Sequence, residues 1–188
     1  MVAVEPSAGM RAQARAKSSD PGVVLIGGGG ERIPLTNACC DAAWLSTVIH
    51  HIADLRACAR ELKRVLVSDG VVLIRSAFPG RLDRINVFRF FPPARRVVDT
   101  FPSVDATVAA FAAAGFEQRA LESVPQVSAA NLTEACERVR LRADTILKGL
   151  SDAEVAAGLA EVERAARSEA PAPVVDWLDL LVFGASSR

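Results

Sequence analysis

Two unbroken runs of aliphatic residues, Val23-Val24-Leu25-Ile26 and Val71-Val72-Leu73-Ile74, constrain the fold most strongly. A strand with one wet face alternates apolar and polar residues, so a continuous run implies a strand covered on both faces. Helical patterns lie between these runs. Asp54 to Leu66 places Leu55, Cys58, Ala59, Leu62, Val65 and Leu66 on one stripe, the spacing of an amphipathic helix. Val2 to Glu5 reads as a strand and Ser7 to Lys17 as a helix. Cys40 to Ser46, Phe116 to Val127 and Val174 to Phe183 read as further strands. Val104 to Ala114 is a helix with Gly115 as its C-cap, and Leu132 to Lys148 and Asp152 to Ser168 are two more. Ser68-Asp69-Gly70 reads as a turn before the strand at Val71. Phe78 to Thr100, rich in proline, arginine and phenylalanine, is expected to be irregular with short helices. The order β-α-β-β-α-β-α-β-α-α-β predicts a single doubly wound α/β domain with a mostly parallel sheet.

Composition narrows the function. The chain has 188 residues, half of them apolar, enough for a substantial core. Lysine plus arginine and aspartate plus glutamate balance at 22 each, which argues against nucleic acid as partner. No apolar run is long enough to cross a bilayer, and Met1 to Lys17 lacks the apolar stretch of a secretory signal. A cytoplasmic protein with no membrane partner is expected. The four cysteines, Cys39, Cys40, Cys58 and Cys136, form no C-x-x-C pair, so reduced thiols are expected and no metal site.

Several residues could carry chemistry. Glu5 stands at the tip of the first strand, at the edge where open α/β sheets bind ligands, and its carboxylate could accept both hydroxyls of a ribose. It could equally be a solvated glutamate. Gly27 to Gly30 follow a strand and could let backbone approach a flat ligand, or form only a flexible turn. They are followed by Glu31-Arg-Ile-Pro, which matches neither a P-loop nor a dinucleotide fingerprint. His50 and His51 close the loop after the Cys40 strand. Either could act as a general base near neutral pH, or pack and cap the next helix. Arg81, Arg84, Arg89, Arg95 and Arg96 interleave with Phe78, Phe88, Phe90 and Phe91. They could grip an anionic or planar substrate, or form a lid with its rings inward and its arginines in water.

Together these segments resemble a class I S-adenosylmethionine-dependent methyltransferase of the small-molecule type. Val2-Ala-Val-Glu-Pro-Ser and Met10-Arg-Ala-Gln-Ala-Arg resemble the family's second strand and helix. Gly28-Gly-Gly-Glu-Arg-Ile-Pro-Leu35 resembles its Gly-Asp-Ala-Glu-x-Leu-Pro-Phe segment. Cys40 to Ile52 resembles the fourth strand and its loop; Glu61-Leu-Lys-Arg-Val-Leu and Asp69-Gly-Val-Val-Leu-Ile resemble the next helix, turn and fifth strand. The likeness covers about Val2 to Ser76 and is only architectural from there to Phe183.

The resemblance implies S-adenosylmethionine as cofactor and a small-molecule methyl acceptor. Glu5 would hold the ribose, Gly28, Gly29, Gly30 and Glu31 would line the adenine, and Leu45 and Ser46 would lie under the cofactor. His50 or His51 would be the candidate base. Residues 1–76 would be the remaining cofactor-binding part and 77–188 the substrate cover. The adenine-side aspartate of the family is Gly29 here, so that contact would fall to backbone or to Glu31. The family's first strand and its glycine-rich loop have no counterpart in these residues. In the family's order 3-2-1-4-5-7-6 that strand is central. An N-terminally truncated fold is therefore expected, with a slot between Val2–Glu5 and Cys40–Ser46 two strand spacings of about 4.8 Å wide. Three outcomes are open: a piece of a longer enzyme, halves closed directly on each other, or a slot filled by another chain. A non-catalytic scaffold that pairs through its sheet edges, with itself or a partner, is the rival reading.

Overall fold

The computed structural model describes residues 1–17, 20–141 and 145–185. The elements are β1 (Val2–Val4), α1 (Ala8–Lys17), β2 (Val24–Ile26), β3 (Cys40–Ser46), α2 (Leu55–Val65) and β4 (Leu66–Ser76). There follow α3 (Val87–Phe90), α4 (Arg95–Val98), α5 (Val104–Ala112), β5 (Phe116–Ala129), α6 (Leu132–Arg140), α7 (Thr145–Lys148), α8 (Asp152–Ser168) and β6 (Val174–Ala185). Single turns of 3-10 helix stand at Ile49–His51 and Pro92–Ala94.

The strands form two sheets among the described residues. β1 pairs only with β2, in parallel, with Val2, Ala3 and Val4 opposite Val24, Leu25 and Ile26. The other four run in the order β3-β4-β6-β5. The four-stranded sheet is mixed rather than fully parallel. Its antiparallel pair is β5 with β6: Ser128 reaches the carbonyl of Val174, while Arg119 reaches that of Ala185 at the opposite ends. Within each sheet the order, β2-β1 and β3-β4-β6-β5, agrees with the expected order on either side of its central strand. The halves do not close on each other, because β1 and β3 share no pairing.

The chain divides into two compact units. The first contains Met1–Ile74, Asp105–Ala120 and Leu181–Arg188. β4 meets the expectation of a covered strand at Val72 and Ile74, both 0 % exposed. β2 does not, since Val24 is 55 % exposed. α1 touches β2, with Arg15 reaching the Leu25 carbonyl, but buries none of its own residues, so the short sheet is only partly covered. Val2 at 41 % and Trp44 at 56 % exposure are likewise uncovered. Phe111, Phe116 and Phe183 pack together in this unit, with Phe111 stacked 4.6 Å from Phe183. Gly115 ends α5 in the left-handed region at φ 82°, as a C-cap glycine does.

β4 begins at Leu66, directly after α2, and includes Ser68-Asp69-Gly70. The chain still reverses there, as expected: a Cβ on Gly70 would stand 2.9 Å from that of Leu66, whereas extended residues four apart are separated by about 13 Å. A Cβ on Gly70 would also stand 3.2 Å from the Asp41 carbonyl oxygen, so the turn is built on a glycine.

The second unit contains Arg75–Val104 and Leu121–Leu180. Its core gathers Leu82, Phe88, Phe91, Val98, Val155 and Val162. The 78–100 segment is irregular with short helices, as expected, and its phenylalanines point inward. Arg89, Arg95 and Arg96 pair at the surface with Glu169, Asp83 and Glu154, Arg81 reaches the buried Asp179, and Arg84 lies on the Trp177 ring. α8 passes Phe91 at Gly158, where a Cβ would lie 2.1 Å from the ring. A capping box starts α8, Ser151 and Glu154 each holding the other's backbone amide. The single helix expected from Leu132 to Lys148 is α6 followed by α7, and residues 142–144 of that expectation lie outside the described residues.

Candidate functional site

The candidate residues of the first unit are Glu5, the loop from Gly27 to Asn37, the end of β3 and the turn at Ile49–His51. Glu5 follows β1, and its amide continues the pairing to the Ile26 carbonyl at 3.1 Å. One carboxylate oxygen accepts from the Ser7 amide at 2.7 Å, which fixes the acid where the chain enters α1. Arg11, one turn into α1, donates to the carbonyls of Glu5 and Pro6 at 2.7 and 2.9 Å. Its guanidinium also lies over Gly27, 3.2 Å from where a Cβ would stand. The strand tip is thus clamped from behind, and one carboxylate oxygen of Glu5 is left for another donor.

The glycines serve close packing. A Cβ on Gly28 would stand 2.5 Å from Pro34 and 3.2 Å from Val4. One on Gly30 would stand 3.1 Å from the Cys58 sulfur and 3.5 Å from Ile52. None of residues 27–30 takes a positive φ. Gly29 forms an isolated bridge with Arg32 that turns the loop back on itself. The Cys58 thiol beneath Gly30 is buried, and burial pushes it up to about 12, so it is a packing group rather than a nucleophile.

Side chains of α2 hold the rest of the loop by its backbone. Glu61 accepts from the Ile33 amide at 2.8 Å. Arg64 donates to the carbonyls of Ile33 and Leu35, each at 2.7 Å, and to Asn37 at 3.0 Å. The Arg64 guanidinium holds the Glu61 carboxyl down at about 2, with the Ile33 amide adding to the effect. Glu31 reaches the other way and accepts from the amide of Ala53 at 3.0 Å, just ahead of α2. Asp54 caps that helix through the Ala57 amide.

These contacts draw the tip of β1, the loop and the histidine turn into one neighbourhood. Gly28 touches Val4, while Gly30 and Glu31 meet Ile52 and Ala53. Ile49 is buried and anchors the turn; His50 and His51 stand with their rings 4.1 Å apart, His51 the more exposed. Leu45 is buried and Ser46 half-buried at the end of β3, which shares no hydrogen-bonded neighbour with β1.

The sequence reading missed two features. Glu61 and Arg64 carry a visible i,i+3 spacing, but their grip on a loop some thirty positions earlier has no sequence signature. Thr47, directly after Ser46, holds φ 53°. A β-branched residue is rarely found in that region, and such strain gathers at functional sites. Nothing in the residue type announces it.

Residues 1–74 match the model of a methyltransferase domain. No curated protein matches the chain by sequence. Among solved structures, the chain is similar to a protein described as a methyltransferase of an antibiotic biosynthesis pathway from Anabaena variabilis. The identity is 19 %, the TM-score 0.66, and the match covers 98 % of this chain and 81 % of that one. A Haloferax volcanii protein described as a methyltransferase, solved in complex with a methyltransferase activator, gives 16 % identity, TM-score 0.58 and coverage of 100 % and 72 %. Geranyl diphosphate C-methyltransferase from Streptomyces coelicolor, solved with Mg2+, geranyl diphosphate and S-adenosyl-L-homocysteine, gives 13 %, 0.54, 99 % and 64 %. At such identities these likenesses speak to the fold alone, and the domain match speaks to residues 1–74. Residues 1–74 thus match a methyltransferase domain, and the fold of the chain is the Rossmann-like α/β fold of the solved methyltransferases.

Proposed function

We propose that this protein binds S-adenosylmethionine through residues of its first unit and serves methyl transfer to a small-molecule acceptor. The observation that carries the reading is Glu5: a carboxylate at the tip of β1 with one oxygen locked by the Ser7 amide and its backbone clamped by Arg11. A fixed acceptor oxygen at a strand tip suits a ribose hydroxyl. The Gly28–Glu31 loop supports the adenine side, because Glu61, Arg64 and Glu31 hold its neighbourhood in one shape before any ligand arrives. The adenine side is then open to backbone of the loop and to the second carboxylate oxygen of Glu31, whose first is held at Ala53. Leu45, Ser46 and the strained Thr47 line the end of β3.

The cofactor supplies an electrophilic methyl on a sulfonium. The chain's share is to orient the two reacting atoms, and to take a proton if the acceptor carries one. His51 suits that second task better than His50, because it is the exposed member of the pair. Residues 1–76 form the cofactor part of this proposal and 77–188 the cover for the acceptor. Four free thiols support a reducing, cytoplasmic setting.

The unpaired edges of β1 and β3 favour a second reading. Transfer by these 188 residues is impaired until a further strand pairs there, and the rival is a non-catalytic scaffold that receives that strand from a partner chain. Isothermal titration with S-adenosylmethionine separates the two. Binding at micromolar concentration, lost in Glu5→Ala, ends the scaffold reading. Failure of the chain to bind under conditions where it melts cooperatively ends the enzyme reading for these residues alone.

A further inference from the structure

The second unit carries two adjoining hollows of about 340 Å³ and 280 Å³ that share Asn86, Arg89 and Val175. The smaller ends at Arg84 and Trp177, where the guanidinium carbon lies 3.5 Å from the indole centroid. The stack is held by backbone. The Trp177 amide donates to the Arg84 carbonyl at 3.0 Å, and the Asn86 side-chain amide donates to the Val175 carbonyl at 2.9 Å. The stretch 84–86 is therefore tied to the start of β6 at two points, and the arginine backbone is held in place.

The charges around it are already spoken for. Asp176 accepts from the Asn86 amide and side chain, Asp83 pairs with Arg95, and Glu169 pairs with Arg89. Arg84 has no carboxylate among the described residues. A guanidinium laid flat on a ring keeps its N–H groups in plane and pointing outward, which suits a two-oxygen acceptor. Beyond Arg89 the larger hollow offers Leu132, Ala166 and Pro171 with the polar groups of Asn131 and Thr133.

We propose that this groove is a binding site for a small organic anion, with a carboxylate or phosphate head on Arg84 and a short body running past Arg89 toward α6, between Leu132, Ala166 and Pro171 on one hand and Asn131, Thr133 and Glu169 on the other. The site lies wholly within the second unit and does not rest on the methyl-transfer reading.

The test is made without cofactor. Trp44→Phe leaves Trp177 as the one remaining tryptophan, so its fluorescence reports on the groove. The probe is n-octanoate, with n-octanol as the uncharged match and inorganic phosphate as the head alone. Octanoate is expected to change Trp177 emission with saturation, octanol is not, and phosphate is expected to displace octanoate. Arg84→Gln in the same background should weaken octanoate roughly tenfold, the loss of one charge-assisted contact. Arg84→Lys, which keeps the charge and loses the planar fork, should fall between the two. Octanol acting like octanoate, or Arg84→Gln binding octanoate as well as its parent with unchanged circular dichroism and melting, overturns the proposal.

Discussion

The segment 27–37 of the first unit and the segment 78–103 of the second are both irregular, yet opposite forces shape them. The first contributes one core side chain, Ile33, and takes its form from Glu61 and Arg64 bonding to its backbone. The second buries Phe88, Phe90, Phe91 and Val98 and leaves its arginines to pair at the surface. A loop fixed through its backbone keeps its shape while presenting that backbone to a ligand. A segment fixed by packed rings has its shape set by volume, and its outer face is free to carry whatever charges solubility or a substrate requires.

The largest effect should come from challenging the packed segment. Gly158→Val drives a side chain into the Phe91 ring, 2.1 Å from a Cβ, and should cost roughly 1–3 kcal/mol or more. A denaturant melt with unchanged Cm would refute packing as the force that shapes 78–103. Gly28→Ala challenges the other segment at Pro34. It should cost somewhat less, roughly 1–2 kcal/mol, because only a loop edge has to shift. Arg64→Ala should lower the melting temperature further than Arg96→Ala. Arg64 holds three backbone or amide acceptors of the loop, whereas Arg96 mainly pairs with one surface carboxylate. Equal shifts would show that backbone tethering contributes nothing beyond the ion pair.

The pH response sharpens the same contrast. Glu61 is held at about 2 in the folded chain, against an ordinary value of 4.5. The unfolded state therefore binds more protons between those values, and the stability that Glu61 contributes is present above about 4.5 and lost as pH falls toward 2. Glu61→Gln should flatten that part of the stability profile; an unchanged slope between pH 5 and 3 would sink the assignment. The smallest effect is expected at Thr47. Thr47→Asn, better suited to φ 53°, should stabilise by roughly 0.5 kcal/mol, and any loss of S-adenosylmethionine binding would mark the strain as functional.

Much of the fold was legible. β3 and α8 occupy the expected residues, Cys40–Ser46 and Asp152–Ser168, because each carries one dominant signal: a short apolar run bounded by polar turns, and a capped amphipathic period. β4 starts earlier than read, at Leu66, yet the chain does reverse at Ser-Asp-Gly, because Gly70 comes back against Leu66. β2 was read as covered because its residues are apolar, but Val24 is exposed while Leu25 and Ile26 are half-buried, and the α1 that touches them buries none of its own residues.

The site was legible as a set of positions and not as a set of jobs. Glu5 and Gly28 to Glu31 stand in one neighbourhood, yet Gly28 and Gly30 make room for Pro34, Cys58 and Ile52, and one carboxylate oxygen of Glu31 is held at Ala53. What the sequence determined by itself was local: periodicity and turn chemistry set where strands and helices run, and their alternation implied an α/β sheet. Tertiary structure decided which glycine faces were filled, which carboxylates stayed open, and that β1 and β3 remain unpaired. Those outcomes depend on contacts between residues far apart in the chain, whose geometry no local pattern encodes.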